Sequence, residues 1–500
     1  MGKTIDRRGF VKSLAGIGAA GVIGVSAPAA FPQTQTATPQ RASNGLPARG
    51  DFVIRNGHIL TMDPVLGDIP NGDIHIKNGV IVAVGKALGA PGAAVLDARK
   101  MIVLPGLVDT HWHMWTTYLR CMAGDKTEDG YFPVTTVYGQ AMLPEDMYRS
   151  TRLAAAEAIY SGITTVNDEC HNVRRIEYAI ADLRALKEAG LRARFSYGPF
   201  RGMPAAQPRD MSSVEQLHRD WTQYSNGGLL TLGFTWGGVP ADPATPERVA
   251  DARKQIETAR RLGLPISMHL ASRENTPPGQ VEAQAKYLGK DVLLIHMLAT
   301  TPAEMKMVAD AGSSISSSPG SELRIGYGLT KACEFMDAGI NVCVSVDTVP
   351  LTGNAHLFGI LKLLRNAVNA KAFNEFKLPA RRALEMGTIN GARALGIDHL
   401  VGSLTPGKRA DLIMVQTNLV TMGVFTDPVH MIIEATEPSN VDTVVIDGRI
   451  LKLGGKLTAM MPEKVIADAS ASLREVGKRL KPVQAANSPR AAGGIIPIQV

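Results

Sequence analysis

Val103-Leu104-Pro105-Gly106-Leu107-Val108-Asp109-Thr110-His111-Trp112-His113 is an apolar run that ends in two histidines one residue apart. The run reads as a β-strand. Strand side chains alternate between faces, so His111 and His113 point the same way. Two imidazoles on one face can share a metal ion, although His-x-His pairs also arise by chance. Downstream the pattern returns with single residues. Pro265-Ile266-Ser267-Met268 closes on His269, Leu293-Leu294-Ile295 on His296, and Val342-Cys343-Val344-Ser345-Val346 on Asp347. A lone histidine at a strand end is more often a hydrogen-bonded structural residue, and Asp347 alone would read as a helix N-cap. Strand ends of this kind repeated in order outweigh those readings. They point to one shared site, with Asp347 as ligand and base.

Between these strands lie amphipathic helical stretches: Glu145 to Ser161, Glu177 to Ala189 with Gly190 as its stop, and Pro246 to Leu262. Gly162 to Val166, Ala193 to Tyr197 and Leu229 to Phe234 read as strands among them. Alternation of strand and helix over ~290 residues argues for a parallel α/β fold, with a (β/α)8 TIM-type barrel as the first candidate. In such a barrel the C-terminal strand ends form the catalytic face. The flanks read differently. Residues 51–104 are short strands and turns, including a period-two hairpin across Asn78-Gly79. Ala410 to Val415 and Val441 to Ile446 repeat that pattern late in the chain. The predicted organisation is a catalytic barrel over residues 105–397, a small composite β-sandwich built from residues 51–104 and 398–456, and a C-terminal extension over residues 457–500.

Composition agrees with a large globular chain. Of 500 residues, 45% are hydrophobic and 20% charged, and 50 glycines with 30 prolines supply the turns that many strand-to-helix loops need. The net charge is +7, of which the first thirty residues carry +3. Basic residues form no block and no stripe interleaved with aromatics, so no nucleic-acid partner is expected. Cys121, Cys170, Cys333 and Cys343 form no CxxC pair and no disulfide framework. Cys333 and Cys343 read as buried small hydrophobes.

Asp6-Arg7-Arg8-Gly9-Phe10-Val11-Lys12 resembles a twin-arginine export signal. An uncharged Gly/Ala-rich stretch, Ser13 to Ala30, follows it. Val25-Ser26-Ala27 or Ala27-Pro28-Ala29 then offers a small-residue cleavage site. As a membrane anchor the stretch is weakly apolar and has no flanking aromatic belt. Residues 1–30 are therefore read as a cleaved signal, and residues 31–50 as a flexible linker. The expectation is a periplasmic or secreted protein, handed to the twin-arginine export machinery after folding and metal loading.

Taken together, the motifs resemble the amidohydrolase superfamily, and within it the branch of cytosine deaminase-like and triazine hydrolase-like enzymes. The resemblance covers roughly residues 51–455. It rests on Pro105 to His113, on His269, His296 and Asp347 in order, and on Gly402-Ser403-Leu404-Thr405-Pro406-Gly407-Lys408-Arg409-Ala410-Asp411-Leu412, which is similar to that family's return from barrel to sandwich. It implies that His111, His113 and His269 are imidazole ligands of a divalent metal. Asp347 would ligate weakly and take the proton from bound water, and His296 would steady that water or the developing oxyanion. Imidazole and carboxylate suit zinc first and iron second. Binuclear relatives bridge two metals with a carboxylated Lys or a Glu on a middle strand. The corresponding Leu229 to Trp236 has neither, so one metal per chain is expected. By analogy with relatives, a homo-oligomer is expected too.

Two departures bear on substrate. Deaminases of this branch often carry Glu three residues after the His269 equivalent, whereas this chain has Ser272. Serine is no general acid near neutral pH, and Glu274 is out of phase if the segment stays extended. Glu322 stands where relatives often have Asn; it reads as a substrate-binding or acid group, or equally as a solvated loop carboxylate. His171 is a candidate substrate contact, with Asp168 and Glu169 placed near the same mouth. Trp112 and Trp115 are either an apolar pocket wall or core. The expected activity is hydrolysis of a non-peptide C–N bond, an amide or an amino-heterocycle, in a small cyclic or aromatic compound through metal-bound hydroxide. One alternative is displacement of halide or another leaving group from a heteroaromatic ring. Another is a degenerate hydrolase kept as a periplasmic binding protein.

Overall fold

The computed structural model describes residues 46–480 except 205–206 and 241–243. The export signal, most of the linker and residues 481–500 lie outside the described residues. Five short strands come first: β1 (Asp51–Leu60), β2 (Asp68–Lys77), β3 (Val80–Gly85), β4 (Ala94–Asp97) and β5 (Met101–Pro105). The barrel strands follow: β6 (Leu107–Trp112), β7 (Ile163–Cys170), β8 (Arg192–Tyr197), β9 (Leu230–Thr235), β10 (Ile266–Leu270), β11 (Val292–His296), β12 (Ser314–Ser317) and β13 (Val342–Val344). Then come β14 (Leu412–Gln416), β15 (Val441–Ile446), β16 (Arg449–Leu453) and β17 (Lys456–Leu457).

Strands β6 to β13 pair in parallel and in sequence order, with helices between them, as the alternation predicts. The barrel closes through a parallel bridge between Trp112 and Asp347. There the Asp347 N–H donates to the His111 carbonyl at 2.8 Å and the His113 N–H to the Asp347 carbonyl at 2.7 Å. Asp109 reinforces the seam. Its buried carboxylate accepts the backbone N–H of His111 at 3.1 Å and of Val346 at 3.2 Å. Burial pushes its carboxyl up to about 7.

The two flanks do share one unit. It is a single nine-strand mixed sheet running β17-β16-β15-β14-β5-β1-β2-β3, with β4 on β1. Phe52, Ile54, Ile74, Ile81, Leu412, Met414 and Val445, contributed by both flanks, belong to one buried apolar cluster. Asn78 and Gly79 take φ of 51° and 82° at the β2–β3 turn, the left-handed pair that a two-residue hairpin demands. At Gly79 a Cβ would lie 2.6 Å from the Asp447 carbonyl, so both conformation and space require glycine there.

The opening run is not one strand. Pro105 pairs with Leu412 in the mixed sheet, whereas Leu107 begins the barrel. Gly106 marks the crossing, where a Cβ would sit 2.1 Å from the Thr164 side chain. Strand β7, by contrast, runs four residues beyond Val166, through Asn167, Asp168 and Glu169 to Cys170, all buried. The lengthening follows from its register with β8, which pairs residue by residue from Thr165 with Arg192 to Cys170 with Tyr197.

Residues 462–479 of the extension form a helix, Pro462–Arg479, lying on the helix Pro144–Ser161. Ser472 Oγ donates to Asp146 there at 2.5 Å. Among the described residues no helix is long and apolar enough to cross a membrane.

Lys452 is fully buried in β16 and donates to the carbonyls of Tyr160 at 2.7 Å and Pro438 at 3.3 Å. Burial pushes its ammonium down to about 8. The folded chain thus releases this proton before the unfolded chain, whose lysines titrate near 10.4. Between those values the unfolded state binds more protons, so stability rises with pH. Comparing wild type with Lys452→Met by urea unfolding, the wild type is expected to gain on the variant by ~2–3 kcal/mol between pH 8 and pH 10. Parallel stability curves would show that Lys452 is not the titrating group.

Candidate active site

At the C-terminal end of the barrel, five residues from four strand ends converge. His111 is the hub: its ring centroid lies 4.5 Å from that of His113, 4.7 Å from His269 and 6.1 Å from His296. Asp347 Oδ1 is 3.2 Å from His111 Nε2 and 3.4 Å from His113 Nε2. Asp347 Oδ2 accepts from Ser321 Oγ. His296 and Asp347 both take left-handed backbone conformations, with φ of 74° and 63°. For a residue with a Cβ that conformation is strained, and it persists only where the surroundings enforce it.

The Nδ1 edges of these imidazoles face a different set of acceptors. His111 Nδ1 is 3.1 Å from Glu169 Oε2, and His113 Nδ1 is 2.8 Å from the Glu169 carbonyl. His269 Nδ1 is 3.1 Å from Glu169 Oε1, and His296 Nδ1 is 3.1 Å from Glu322 Oε1. A carboxylate or carbonyl only accepts, so each Nδ1 carries a proton, and Nε2 is the nitrogen left to ligate once a metal is bound. Without a metal, His111 Nε2 donates to Asp347 Oδ1, and a cation bound there would take the place of that proton. Burial opposes charge on His111, but Glu169 and Asp347 outweigh it and push the imidazole up to about 10. Against the same burial, the His111 hydrogen bond and the charges of His111, His296 and His113 hold the Asp347 carboxyl well below the usual range. Burial, with the charges of His171 and His111, pushes His113 down.

A cavity of about 230 Å³ opens onto this cluster. His113, His171, His269, Ser272, His296 and Asp347 face it, joined by Tyr131, Phe132, Arg201 and Tyr327. Arg201 hydrogen-bonds Tyr131 at 3.3 Å, and its Nε is buried with no partner among the described residues. His171 stacks on His113 with centroids 3.7 Å apart and accepts from the Trp115 indole N–H at Nδ1, 3.1 Å away. Its remaining nitrogen is thereby left as a donor.

The structure changes the expectations for Trp112, Trp115, Glu322 and Asp168. Trp112 and Trp115 are both fully buried and line no part of the cavity. Trp112, whose backbone forms the seam, packs into the main apolar core, and Trp115 packs there too while donating to His171. Glu322 is 1% exposed and bound to His296 and the Ser318 N–H, so it supports a histidine instead of meeting substrate or solvent. Glu274 accepts the Leu329 N–H at 3.2 Å, away from the cavity. Asp168 faces outward to Asp182, because strand alternation sends only Asn167 and Glu169 inward. The role of Glu169 was not read from the sequence. Its period-two spacing from Asn167 and His171 is the signal that could have found it.

Comparison with known proteins agrees with the site. The amidohydrolase family model matches residues 102–451. The chain belongs to the amidohydrolase family. It is a hydrolase acting on non-peptide carbon–nitrogen bonds, as the sequence implies. This amidohydrolase is 28% identical over 443 residues to the 5'-deoxyadenosine deaminase of Methanosarcina barkeri, covering 86% of its own length and 99% of the relative's. In fold it is similar to an adenosine deaminase from Xanthomonas campestris crystallised with zinc, at a TM-score of 0.73 and 22% identity over 86% of this chain and 99% of that one. It is also similar to the atrazine chlorohydrolase of Arthrobacter aurescens complexed with zinc, at a TM-score of 0.71 and 23% identity over 84% of this chain and all of that one.

The amidohydrolase's own residues fit a metal. Ligand atoms of His111, His113, Glu169 and His269 lie within 4.8 Å of one another, as do those of His111, His296 and Asp347. The imidazole-rich donor set suits zinc or ferrous iron. A larger cavity of about 600 Å³, between the helices Pro144–Ser161 and Pro462–Arg479, holds none of these histidines, so the chemistry is not there.

Proposed function

We propose that the chain hydrolyses an amino or amide C–N bond on a small heterocyclic compound, using one zinc ion held by His111, His113, His269 and Asp347. The observation that carries this reading is the convergence of imidazole Nε2 atoms on the Asp347 carboxylate at the mouth of the barrel. Bound there, the metal would supply Lewis acidity and lower the pKa of a water to about 7. Asp347 takes the proton of the attacking water. His296, held through Nδ1 by Glu322, donates to the oxygen that gains charge. His171, held through Nδ1 by Trp115, donates to the departing group. As the new C–O bond forms and the C–N bond breaks, the proton on Asp347 passes to the leaving nitrogen. Tyr131, Phe132 and Tyr327 offer flat walls to an aromatic ring.

Ser272 favours a second reading. It faces the cavity where deaminases of this branch carry glutamate, and displacement of halide needs no acid there. The relatives named above include both deaminases and a chlorohydrolase. The test is elemental analysis of the purified protein together with a screen of aminopurines, cyclic amides and chlorotriazines for released ammonia, amine or chloride. About one zinc per chain with ammonia or amine release supports the C–N reading. Chloride release alone selects displacement. Binding without turnover in a zinc-loaded sample supports a binding protein.

We also propose export by the twin-arginine route, on the strength of Arg7-Arg8 and the stretch after it. Confinement of the chain to the cytosolic fraction would end that part.

A further inference from the structure

Residue 169 touches three of the four proposed metal-holding side chains. Its carboxylate is fully buried, with Oε2 3.1 Å from His111 Nδ1 and Oε1 3.1 Å from His269 Nδ1. Its backbone carbonyl is 2.8 Å from His113 Nδ1. These histidines come from β6, from the residue after it, and from β10, so the contacts span the barrel from 56 positions away at His113 to 100 at His269. No other side-chain carboxylate is within reach of the Nδ1 edges of His111, His113 and His269 among the described residues.

We propose that Glu169 is the positioning residue of the metal site: one carboxylate sets the tautomer and the ring angle of His111 and His269, while its own carbonyl does the same for His113. The proposal rests on the metal reading given above. The physical logic is that an imidazole binds a metal through whichever nitrogen lacks the proton, and the acceptor on the other nitrogen decides which that is. With Oε2 hydrogen-bonded to His111 Nδ1 and Oε1 3.1 Å from His269 Nδ1, Glu169 faces the side of the rings opposite Nε2. It therefore orients ligands and is not itself one. It also adds a second negative charge beside Asp347, which two positive charges of a divalent ion balance.

Glutamine at 169 keeps the volume but offers one acceptor and one NH2. That NH2 faces an Nδ1 which must then lose its proton, so the same ring carries its proton at Nε2 and cannot ligate. Glu169→Gln is expected to bind zinc 10- to 100-fold more weakly by chelator competition, while still approaching one ion per chain at saturation. Its cobalt(II) form should show a visible absorption spectrum shifted from that of wild type. Thermal unfolding of the metal-free forms controls for a merely structural role, which would lower that midpoint and leave the cobalt spectrum alone. If the glutamine variant fails to fold, Glu169→Asp, which keeps the charge and shortens the reach, is read by the same two measurements.

Equal zinc affinity and an unchanged cobalt spectrum in a folded variant would overturn the proposal and leave the metal reading standing. Two ions in wild type and one in Glu169→Gln would overturn it in favour of Glu169 as a ligand. A wild type that takes up no metal would fail the metal reading itself, and this one with it.

Discussion

Asp347→Asn is expected to lower kcat by ~10³-fold or more while leaving the fold intact. The carboxylate has two separate tasks. Oδ1 faces the Nε2 atoms of His111 and His113, at 3.2 Å and 3.4 Å, where a cation belongs. Oδ2 accepts from Ser321. An asparagine keeps one acceptor but cannot take up a proton at neutral pH, and it carries no charge to hold the metal. Barrel closure at this point runs through the Asp347 backbone, whose N–H and carbonyl bond His111 and His113. Those bonds do not depend on the side chain. The check is kcat on the substrate found by the product screen, with a thermal midpoint beside it. Full turnover in a folded variant would remove Asp347 as the base. A collapse of the midpoint would mean that the carboxylate is structural first.

Asp411→Ala is expected to cost ~3–5 kcal/mol of stability, the range for stranding one partner of a buried ion pair. Arg192, on β8 of the barrel, makes two parallel bonds to Asp411, Nε to Oδ2 at 2.7 Å and Nη2 to Oδ1 at 2.9 Å. The side chains are 6% and 1% exposed. Asp411 also accepts the Asp447 N–H at 2.8 Å, and Asp447 in turn pairs with Arg49 and Arg409. This cluster ties the barrel to the mixed sheet just before β14. Removing Asp411 leaves a buried guanidinium without its bidentate partner, whereas removing both charges spares that penalty. Arg192→Met added to Asp411→Ala should therefore recover part of the loss in urea unfolding. A single-variant loss under about 1 kcal/mol would show that the cluster is solvated in practice.

The candidate ligands were legible because each ends an apolar run. A polar residue that terminates a buried strand has few places to be other than the open end of the barrel. That logic covers His111, His113, His269, His296 and Asp347, and local chemistry likewise sufficed for the Asn78-Gly79 hairpin and the Gly190 helix stop. Glu169 escaped it. It follows Asn and Asp, so the segment reads as the loop after a strand, and only the pairing of β7 with β8 extends the strand through it. The opening run misled at Gly106 because apolarity is continuous across the switch from one sheet to the other. Nothing local says that Pro105 pairs with Leu412 while Leu107 pairs with Ile163.

The sequence by itself determined the alternation that builds a parallel barrel, the residues that cap its strands and the family that the chain belongs to. These are properties of short segments, fixed by apolar period and by the side chain at each strand's end. Tertiary structure alone decided which edge of each imidazole meets an acceptor, that Trp112 belongs to the core, and that Glu322 braces His296. It also decided that Glu169 serves three histidines at once. Those contacts join residues that only barrel closure brings together, such as Asp109 with Val346 across 237 positions. No local pattern encodes a distance that is set by the whole ring of strands.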